Sequence, residues 1–257
     1  MDLPRVAIPS YKRVQMIQTH TLKFLADIGY PSEKIHIFVA NQDEYNEYRS
    51  ALPVEYKHII IGVLGLAPQR NFISDYFDEG EYILQIDDDV KGLKLKNKEL
   101  SHLDLFRSAI NRMVREGIGL FGVLPNDDGR KMTDKWTLDL AHILGSFFIL
   151  QNRRAIRIQY SEKEDYERCI KYFLADGKIL RYRGAGVNTL YMRNPGGLQV
   201  SDRRPAQEEA TAALCAAYPQ MVKRRTKNDT PDLTLNWRYQ KKNFSLPTPK
   251  IECCCQP

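Results

Sequence analysis

Apolar and polar positions along the chain alternate between two periods, short apolar runs and stretches of helical spacing, which predicts βα units on a largely parallel sheet. Arg5–Ser10 reads as a first strand and its turn, followed by Val14, Ile17, Leu22 and Leu25 at helical spacing up to Gly29-Tyr30-Pro31. Ile35–Ala40 is a second strand, Asp43–Ala51 a short polar helix and His58–Val63 a third strand. Pro68-Gln69-Arg70-Asn71 opens a helix through Phe77, and an apolar strand from Tyr82 runs to Asp87-Asp88-Asp89-Val90. Leu103–Gly117 is amphipathic, Ile143–Leu150 reads as an apolar strand, and a helix from Glu164-Asp165 continues through Tyr172 to Asp176, with Gly177 as its C-cap. No internal repeat is visible.

The aspartate run at the end of a buried-type strand is the chemically loudest feature. Carboxylates this close raise one another's pKa unless a cation sits among them. Mg²⁺ or Mn²⁺ is the simplest candidate, since hard cations take oxygen ligands and complete their shells with water and substrate phosphates. An Asp-rich turn closing the strand is the plain alternative. In open α/β sheets ligands bind beyond the C-terminal strand ends. That directs attention to Ser10–Arg13, to Asn41–Asp43 and to the aspartates, while the helix start at Pro68–Asn71 favours anions and Arg70 adds a fixed cationic fork. There is no GxxxxGKS/T and no GxGxxG, which argues against a P-loop NTPase or a dinucleotide dehydrogenase.

Composition narrows this reading. With 257 residues, 43% hydrophobic, the chain has enough material for one large α/β domain. No apolar run approaches a membrane span and Met1-Asp2-Leu3-Pro4 lacks the layout of a signal peptide, so a soluble, cytoplasmic protein is expected, in a host cytoplasm if phage-encoded. The cysteines show neither a disulfide framework nor a zinc spacing, and Cys253–Cys255 crowd a proline-bearing stretch, 247–257, that reads as a disordered tail. Residues 1–150 carry 18 Lys and Arg against 21 Asp and Glu, and residues 151–257 carry 20 against 11. A positive second half would draw in an anionic acceptor; an ordinary solvated surface is the alternative. Glu162, Glu164, Asp165 and Glu167 form a second acidic site, although acids in a helix's first turn also stabilise its dipole.

The ordered set Ile8-Pro9-Ser10-Tyr11-Lys12-Arg13, Pro68-Gln69-Arg70-Asn71, Asp87-Asp88-Asp89 and Lys163-Glu164-Asp165-Tyr166 resembles the GT-A glycosyltransferases over about the first 190 residues. The resemblance implies a Rossmann-like α/β fold with a mixed, mostly parallel central sheet flanked by helices. It implies a core over 1–200, with a nucleotide-sugar half at about 1–95 and an acceptor half at about 96–200, then a basic helical extension, 201–246. The aspartate run becomes the DxD motif: Asp87 and Asp89 hold Mn²⁺ or Mg²⁺, while Pro9, Ser10, Arg13, Asn41, Gln69, Arg70, Asp87 and Asp88 bind the nucleotide sugar, a UDP-sugar. The "ED" pair supplies the base of an inverting transfer, Asp165, with Glu164 as runner-up. None of the histidines, at 20, 36, 58, 102 and 142, lies beyond that pair, so the ion is held by the aspartate run, diphosphate and water alone, or a further ligand falls to Asn188 or Asn194, or weakly to His142.

With Asn194-Pro195-Gly196-Gly197-Leu198-Gln199 downstream, the layout looks like the TET/JBP-associated glycosyltransferases, relatives of the base J glucosyltransferase. That resemblance implies a DNA acceptor containing hydroxymethyl-pyrimidines, often in bacteriophages. Arg153, Arg154, Arg183, Arg203, Arg204, Lys223, Arg224 and Arg225 are the residues expected to meet it. Cations interleaved with aromatics such as Trp237 and Tyr239 suit a phosphate-tracking surface. Gly184-Ala185-Gly186 and Gly196-Gly197 read as flexible points, with ordinary turns equally open. A carbohydrate, lipid or protein acceptor, or a nucleotidyltransferase, are the competing classes.

Overall fold

The structure, a computed structural model, describes residues 2–189, 203–227 and 230–239. Arg193, Asn194, Gly196, Gly197 and the 247–257 tail lie outside the described residues.

One sheet has the order β3-β2-β1-β4-β8-β6-β9-β5, from β1 (Arg5–Pro9), β2 (Ile35–Val39), β3 (His58–Ile61), β4 (Tyr82–Ile86), β5 (Val90–Leu95), β6 (Leu120–Leu124), β8 (Phe147–Gln151) and β9 (Leu180–Thr189), with β7 (Trp136–Thr137) paired to β9; β1–β4 and β8 are expected from sequence, and β5, β6, β7 and β9 are not. β3, β2, β1 and β4 are parallel, β8 runs antiparallel between β4 and β6, and β9 is parallel to β6. This is the mixed, mostly parallel α/β sheet of the GT-A fold. The C-terminal ends of β1, β2, β4, β6 and β9 and the N-terminal end of β8 therefore share one edge. β2 and β6 are buried at every position and β4 at all but its first, as expected for strands covered by helices on both faces.

One apolar layer packs β1, β4, β6, β8 and β9 against α1 (Val14–Ile17), α2 (Lys23–Asp27) and α5 (His102–Glu116), through Leu25, Phe106, Phe121 and Tyr182. On the opposite face Phe38, Ile73, Phe148, Ile170 and Phe173 join the sheet to α4 (Leu66–Tyr76) and α6 (Glu164–Asp176). α3 (Gln42–Ala51) begins at Asn41, whose Oδ1 accepts from Glu44 N at 3.0 Å. Gly177 closes α6 at φ 72°, the left-handed cap expected from sequence.

Four elements differ from their expected form. The strand expected to carry the aspartates stops at Ile86, the chain turns through 87–89, and Val90 enters β5, which pairs with β9 instead of β4. The strand expected from Ile143 starts only at Phe147, because Gly145 O accepts from Arg70 and Ser146 O from Asp87 N instead of a neighbouring strand. Gly184-Ala185-Gly186, read as a flexible point or an ordinary turn, is the middle of β9, and a Cβ on Gly186 would meet Asn126 O at 2.1 Å, so glycine serves close approach there. Beyond 203 the expected helical extension holds one helix, α7 (Arg204–Ala217), followed by a hairpin of β10 (Val222–Lys227) and β11 (Thr230–Leu235). Leu233 and Leu235 alternate into the core there, a strand period within a basic stretch.

Asn152 anchors the end of α4. Its Nδ2 donates to the carbonyls of Ser74, Phe77 and Asp78 at 2.8, 3.0 and 3.0 Å, and its Oδ1 accepts from Ser74 Oγ at 2.7 Å. The helix-end carbonyls that lack intrahelical partners are thereby satisfied out of reach of water. Asn152→Ala should lower unfolding free energy by about 3 kcal/mol, since each buried group left unpaired costs ~1–3 kcal/mol. Urea denaturation measures this, and a change under about 0.5 kcal/mol, the range of ordinary surface substitutions, would contradict it.

Candidate active site

Each aspartate of the run has a different partner, and the partners come from different elements. Asp88 is buried, with Oδ2 accepting from Ser10 Oγ at 2.7 Å and Oδ1 from Arg13 Nη1 at 3.1 Å. Tyr48 of α3 braces both donors, its hydroxyl 2.7 Å from Ser10 Oγ and accepting from Arg13 N at 3.1 Å. Asp87 Oδ1 accepts from Arg70 Nη2 at 2.6 Å, and the Asp87 side chain stays 32% exposed. Asp89 Oδ1 accepts from Thr189 Oγ1 at 2.8 Å, which ties the run to the end of β9. Asp88 is therefore the structural member, while Asp87 and Asp89 flank it at the sheet edge.

Gln69 lies beside this edge, its Oε1 accepting from Val63 N at 2.9 Å in the loop after β3. Asn41 stands at the same edge as the cap of α3, a role that a nucleoside-pocket assignment from sequence did not include. Pro9 ends β1 and sets the chain into the turn where Lys12 adopts φ 53°.

The second acidic site begins α6, which starts after Lys163 in the left-handed region at φ 60°. Glu164 is buried and paired with Arg168 Nη1, with Arg70 Nη2 4.0 Å away. Asp165 points elsewhere. Its Oδ2 lies 2.7 Å from His142 Nε2 and its Oδ1 accepts from Tyr166 N at 3.0 Å. His142 stacks on the Tyr166 ring at 4.2 Å between centroids, which fixes the imidazole plane. His142, weakly expected as a metal ligand, thus serves the second acidic site. A histidine 23 residues upstream of the acid gives no local signal of that pairing.

One segment, 139–146, strings these groups together. Asp139 lies 3.6 Å from Arg181, His142 meets Asp165, and Cys169 Sγ accepts from Ile143 N at 3.2 Å. At the segment's other end Gly145 O accepts from Arg70 at 2.9 Å and Ser146 O from Asp87 N at 3.0 Å.

Electrostatically the site is short of cations. Asp87, Asp88, Asp89, Glu164 and Asp165 face Arg13, Arg70 and Arg168, two more carboxylates than guanidinium groups. Burial pushes Asp87 up to about 7 against the pull of Arg70, with Asp89, Asp88 and Glu164 adding repulsion. Burial likewise raises Asp88 to about 6 despite Arg13 and Ser10. Asp165 behaves in the opposite sense: burial opposes its charge, but His142, Arg168 and the Tyr166 N–H together hold it below the ordinary carboxylate range. Among the described residues no group of three or more His, Cys, Asp and Glu converges for a metal. A hard cation that draws most of its shell from diphosphate and water still fits Asp87 and Asp89 and would supply the missing positive charge. Asn188 is engaged with Asp127 Oδ2 at 3.1 Å, and Asn194 lies outside the described residues.

The basic residues expected to meet an acceptor scatter. Arg153 pairs with Asp176 at 2.6 Å and Arg154 Nη2 donates to Phe77 O at 2.8 Å, both beyond the C-terminal end of β8 and so at the edge opposite the aspartates. The other arginines gather on the α6 side: Arg203 chelates Glu162 at 2.6 and 2.9 Å, Arg224 pairs with Glu208, and Arg225 pairs with Asp232 at 2.6 Å. Asp232 also takes Lys163 Nζ at 3.2 Å, so the C-terminal hairpin braces the start of α6. Arg204 begins α7, and Lys223 is exposed on β10. Arg183 lies on β9, within the sheet.

A comparison with the curated proteins finds no match. Among solved structures, the mannosyltransferase PcManGT from Pyrobaculum calidifontis, in complex with GDP-Man and Mn²⁺, superposes with a TM-score of 0.51 at 14% identity, over 76% of this chain and 59% of that one. S. aureus TarS 1-349 gives 0.49 at 15%, over 82% of this chain and 64% of its own, and glucosyl-3-phosphoglycerate synthase from Mycobacterium tuberculosis gives 0.48 at 12%, over 90% and 86%. The chain thus spans about three fifths of the first two. At such identities the likeness is one of fold. The sequence match is more specific and covers the aspartate edge. Residues 5–113 match the family model described as TET-Associated Glycosyltransferase, and the fold over the larger part of the chain is similar to that of the mannosyltransferase.

Proposed function

We propose that the protein transfers a sugar from a nucleotide-sugar donor, a UDP-sugar, to the 5-hydroxymethyl group of a modified pyrimidine in DNA, with inversion. The observation that carries this reading is the 139–146 segment, which holds the DxD edge and the Asp165–His142 pair in one register. A transfer needs a donor site and a proton acceptor at fixed separation. The TET association of the matching family supports the hydroxymethyl-pyrimidine acceptor.

Asp165 takes the proton from the hydroxymethyl oxygen as that oxygen bonds to the anomeric carbon and the anomeric C–O bond to the diphosphate breaks, its electron pair leaving with the nucleoside diphosphate. His142 orients the Asp165 carboxylate, and the lowered pKa keeps it ionised and ready to accept. Glu164, sealed by Arg168 and near Arg70, is a scaffold acid and not the base. Arg70 and Arg13 hold the aspartates in place from the protein side. Asp87 and Asp89 would hold Mn²⁺ or Mg²⁺, which would supply Lewis-acid neutralisation of the leaving diphosphate.

The raised aspartates carry a sign. Their fold-specific cost is absent below about pH 4, where they are protonated even in the unfolded chain, and grows as pH rises through about 6 to 7. Without divalent metal the melting temperature should therefore fall between about pH 5.5 and about pH 8, and Mn²⁺ should raise it more at the higher pH. A Mn²⁺ response equal at both pH values, or absent, would separate the aspartates from metal binding.

Asp165→Asn should retain donor binding by calorimetry yet lose about 10²–10⁴-fold in kcat, the usual worth of a general base; full activity would move the base elsewhere. Mass spectrometry of nucleosides from hydroxymethylated DNA, incubated with the protein, Mn²⁺ and mixed sugar nucleotides, should show a glycosylated pyrimidine. No sugar adduct on any hydroxymethyl-pyrimidine across the donor panel would end the DNA reading.

A further inference from the structure

Arg181 and Arg183 stand two residues apart on β9, on the sheet face that α6 covers. The pairing fixes that face: Leu180 and Tyr182 alternate with the arginines and pack with Phe121 and Trp136 in the opposite layer. Gly122, the β6 partner of Arg181, lies under Ile143, where an added Cβ would meet Ile143 Cγ2 at 2.2 Å. The two arginines therefore lie beside the segment that carries His142 to Asp165, and β9 runs from Arg181 toward Arg183 and the ligand edge.

Their donors are under-used. Arg181 Nη2 is 3.6 Å from Asp139, the one carboxylate within ion-pair reach of either guanidinium among the described residues. Nε of Arg181 and Nε of Arg183 are both buried with no hydrogen-bond partner, as is Nε of Arg70, Arg112 and Arg168, but Arg183 differs from these in having no ion-pair partner among the described residues. Thr137 Oγ1, directly across from Arg181, and Thr133 Oγ1, in a residue whose N–H donates to Arg183 O at 3.0 Å, are buried and unpartnered too. Such groups cost ~1–3 kcal/mol each when left without a partner. Burial pulls the Arg181 pKa down against the pull of Asp139, with Arg183 adding repulsion, so one carboxylate faces two guanidinium groups here. Planar forks and hydroxyls fit one ligand class well, the oxygens of a phosphate ester.

We infer that Arg181, Arg183 and Thr137 form an acceptor-side phosphate subsite next to the Asp165–His142 pair, which takes a phosphodiester of the DNA strand carrying the target base. The phosphodiester as source rests on the DNA reading above; the subsite as a phosphate binder does not.

The test has two arms. In the first, inorganic phosphate is added to the full chain with UDP and Mg²⁺ present to fill the donor edge. It should raise the melting temperature of the wild type and of Arg130→Gln, an exposed-surface control, but not of Arg183→Gln. Arg183→Lys, which keeps the charge, should respond in between. Phosphate stabilisation undiminished in Arg183→Gln overturns the subsite. In the second arm, Arg183→Gln should raise KM for a hydroxymethylated oligonucleotide about tenfold with kcat nearly unchanged, as expected for the loss of charge-assisted contacts to one phosphate. Its kinetics on the free hydroxymethyl nucleoside should not change. Equal losses on oligonucleotide and nucleoside would mean a structural role and overturn the proposal. A phosphate response lost in Arg183→Gln, with no transfer to any DNA, would uphold the subsite, reject the DNA reading and leave a phosphorylated small acceptor as the source.

Discussion

The site depends on one buried cation. The Arg70 guanidinium is 4% exposed as a residue and is held by Gln85 Oε1 at 3.0 Å, Asp87 Oδ1 at 2.6 Å and Gly145 O at 2.9 Å, over the face of Phe148 at 5.3 Å. A charge so far from water is tolerable because both of its Nη groups are met by acceptors, although Nε stays buried without a hydrogen-bond partner. Meeting them forces four elements into register: α4 supplies the arginine, β4 the Gln85 and Asp87 acceptors, the 139–146 segment a carbonyl, and α6 the nearby Glu164. The position of the first aspartate is in this sense set by the arginine before it in sequence, and Asn152 matters because it seats the helix that carries that arginine.

Around that cation the charges do not balance, and the imbalance falls where the chemistry needs it. Asp88 is satisfied by Ser10 and Arg13, and Glu164 by Arg168, so these two behave as framework. Asp87 and Asp165 are held on one side and left to act on the other. Their pKa values are pushed apart, Asp87 upward to about 7 and Asp165 downward, so two carboxylates of one edge differ in how readily they ionise. Left-handed backbone at two non-glycine residues, Lys12 and Lys163, marks the turns next to these groups, and each is tied down, Lys12 N to Glu44 Oε2 at 3.0 Å and Lys163 Nζ to Asp232.

What was legible in the sequence was local. Strands β1 to β4, the helix bearing Arg70, the amphipathic helix after Leu103 and the acidic start of α6 each announce themselves by period and cap, and the aspartate run by like charge on an apolar strand. What escaped depended on partners far along the chain. β4 ends at Ile86 because Asp87 and Asp89 are drawn to Arg70 and Thr189, and Gly184-Ala185-Gly186 read as a flexible point or turn because the close approach of β9 to Asn126 is a tertiary fact. Arg153 and Arg154 counted equally with Arg183 as positive charge, yet topology sends them to opposite ends of the sheet. Residue counts carry no such direction.

The 139–146 segment shows why a site can be exact where its sequence is nondescript. Much of its binding is through backbone: Ile143 N, Gly145 O and Ser146 O hold Cys169, Arg70 and Asp87 N, so most side chains there are released from the task and only His142 and Asp139 speak chemically. Gly145 is the exception. A Cβ at that position would stand 2.3 Å from Glu164 Oε1, and Glu164 cannot withdraw without leaving Arg168 unpaired in the interior. The glycine thus lets the carbonyl that receives Arg70 and the carboxylate that neutralises Arg168 occupy adjoining space. Through that contact the aspartate edge and the start of α6 are held together largely by main chain.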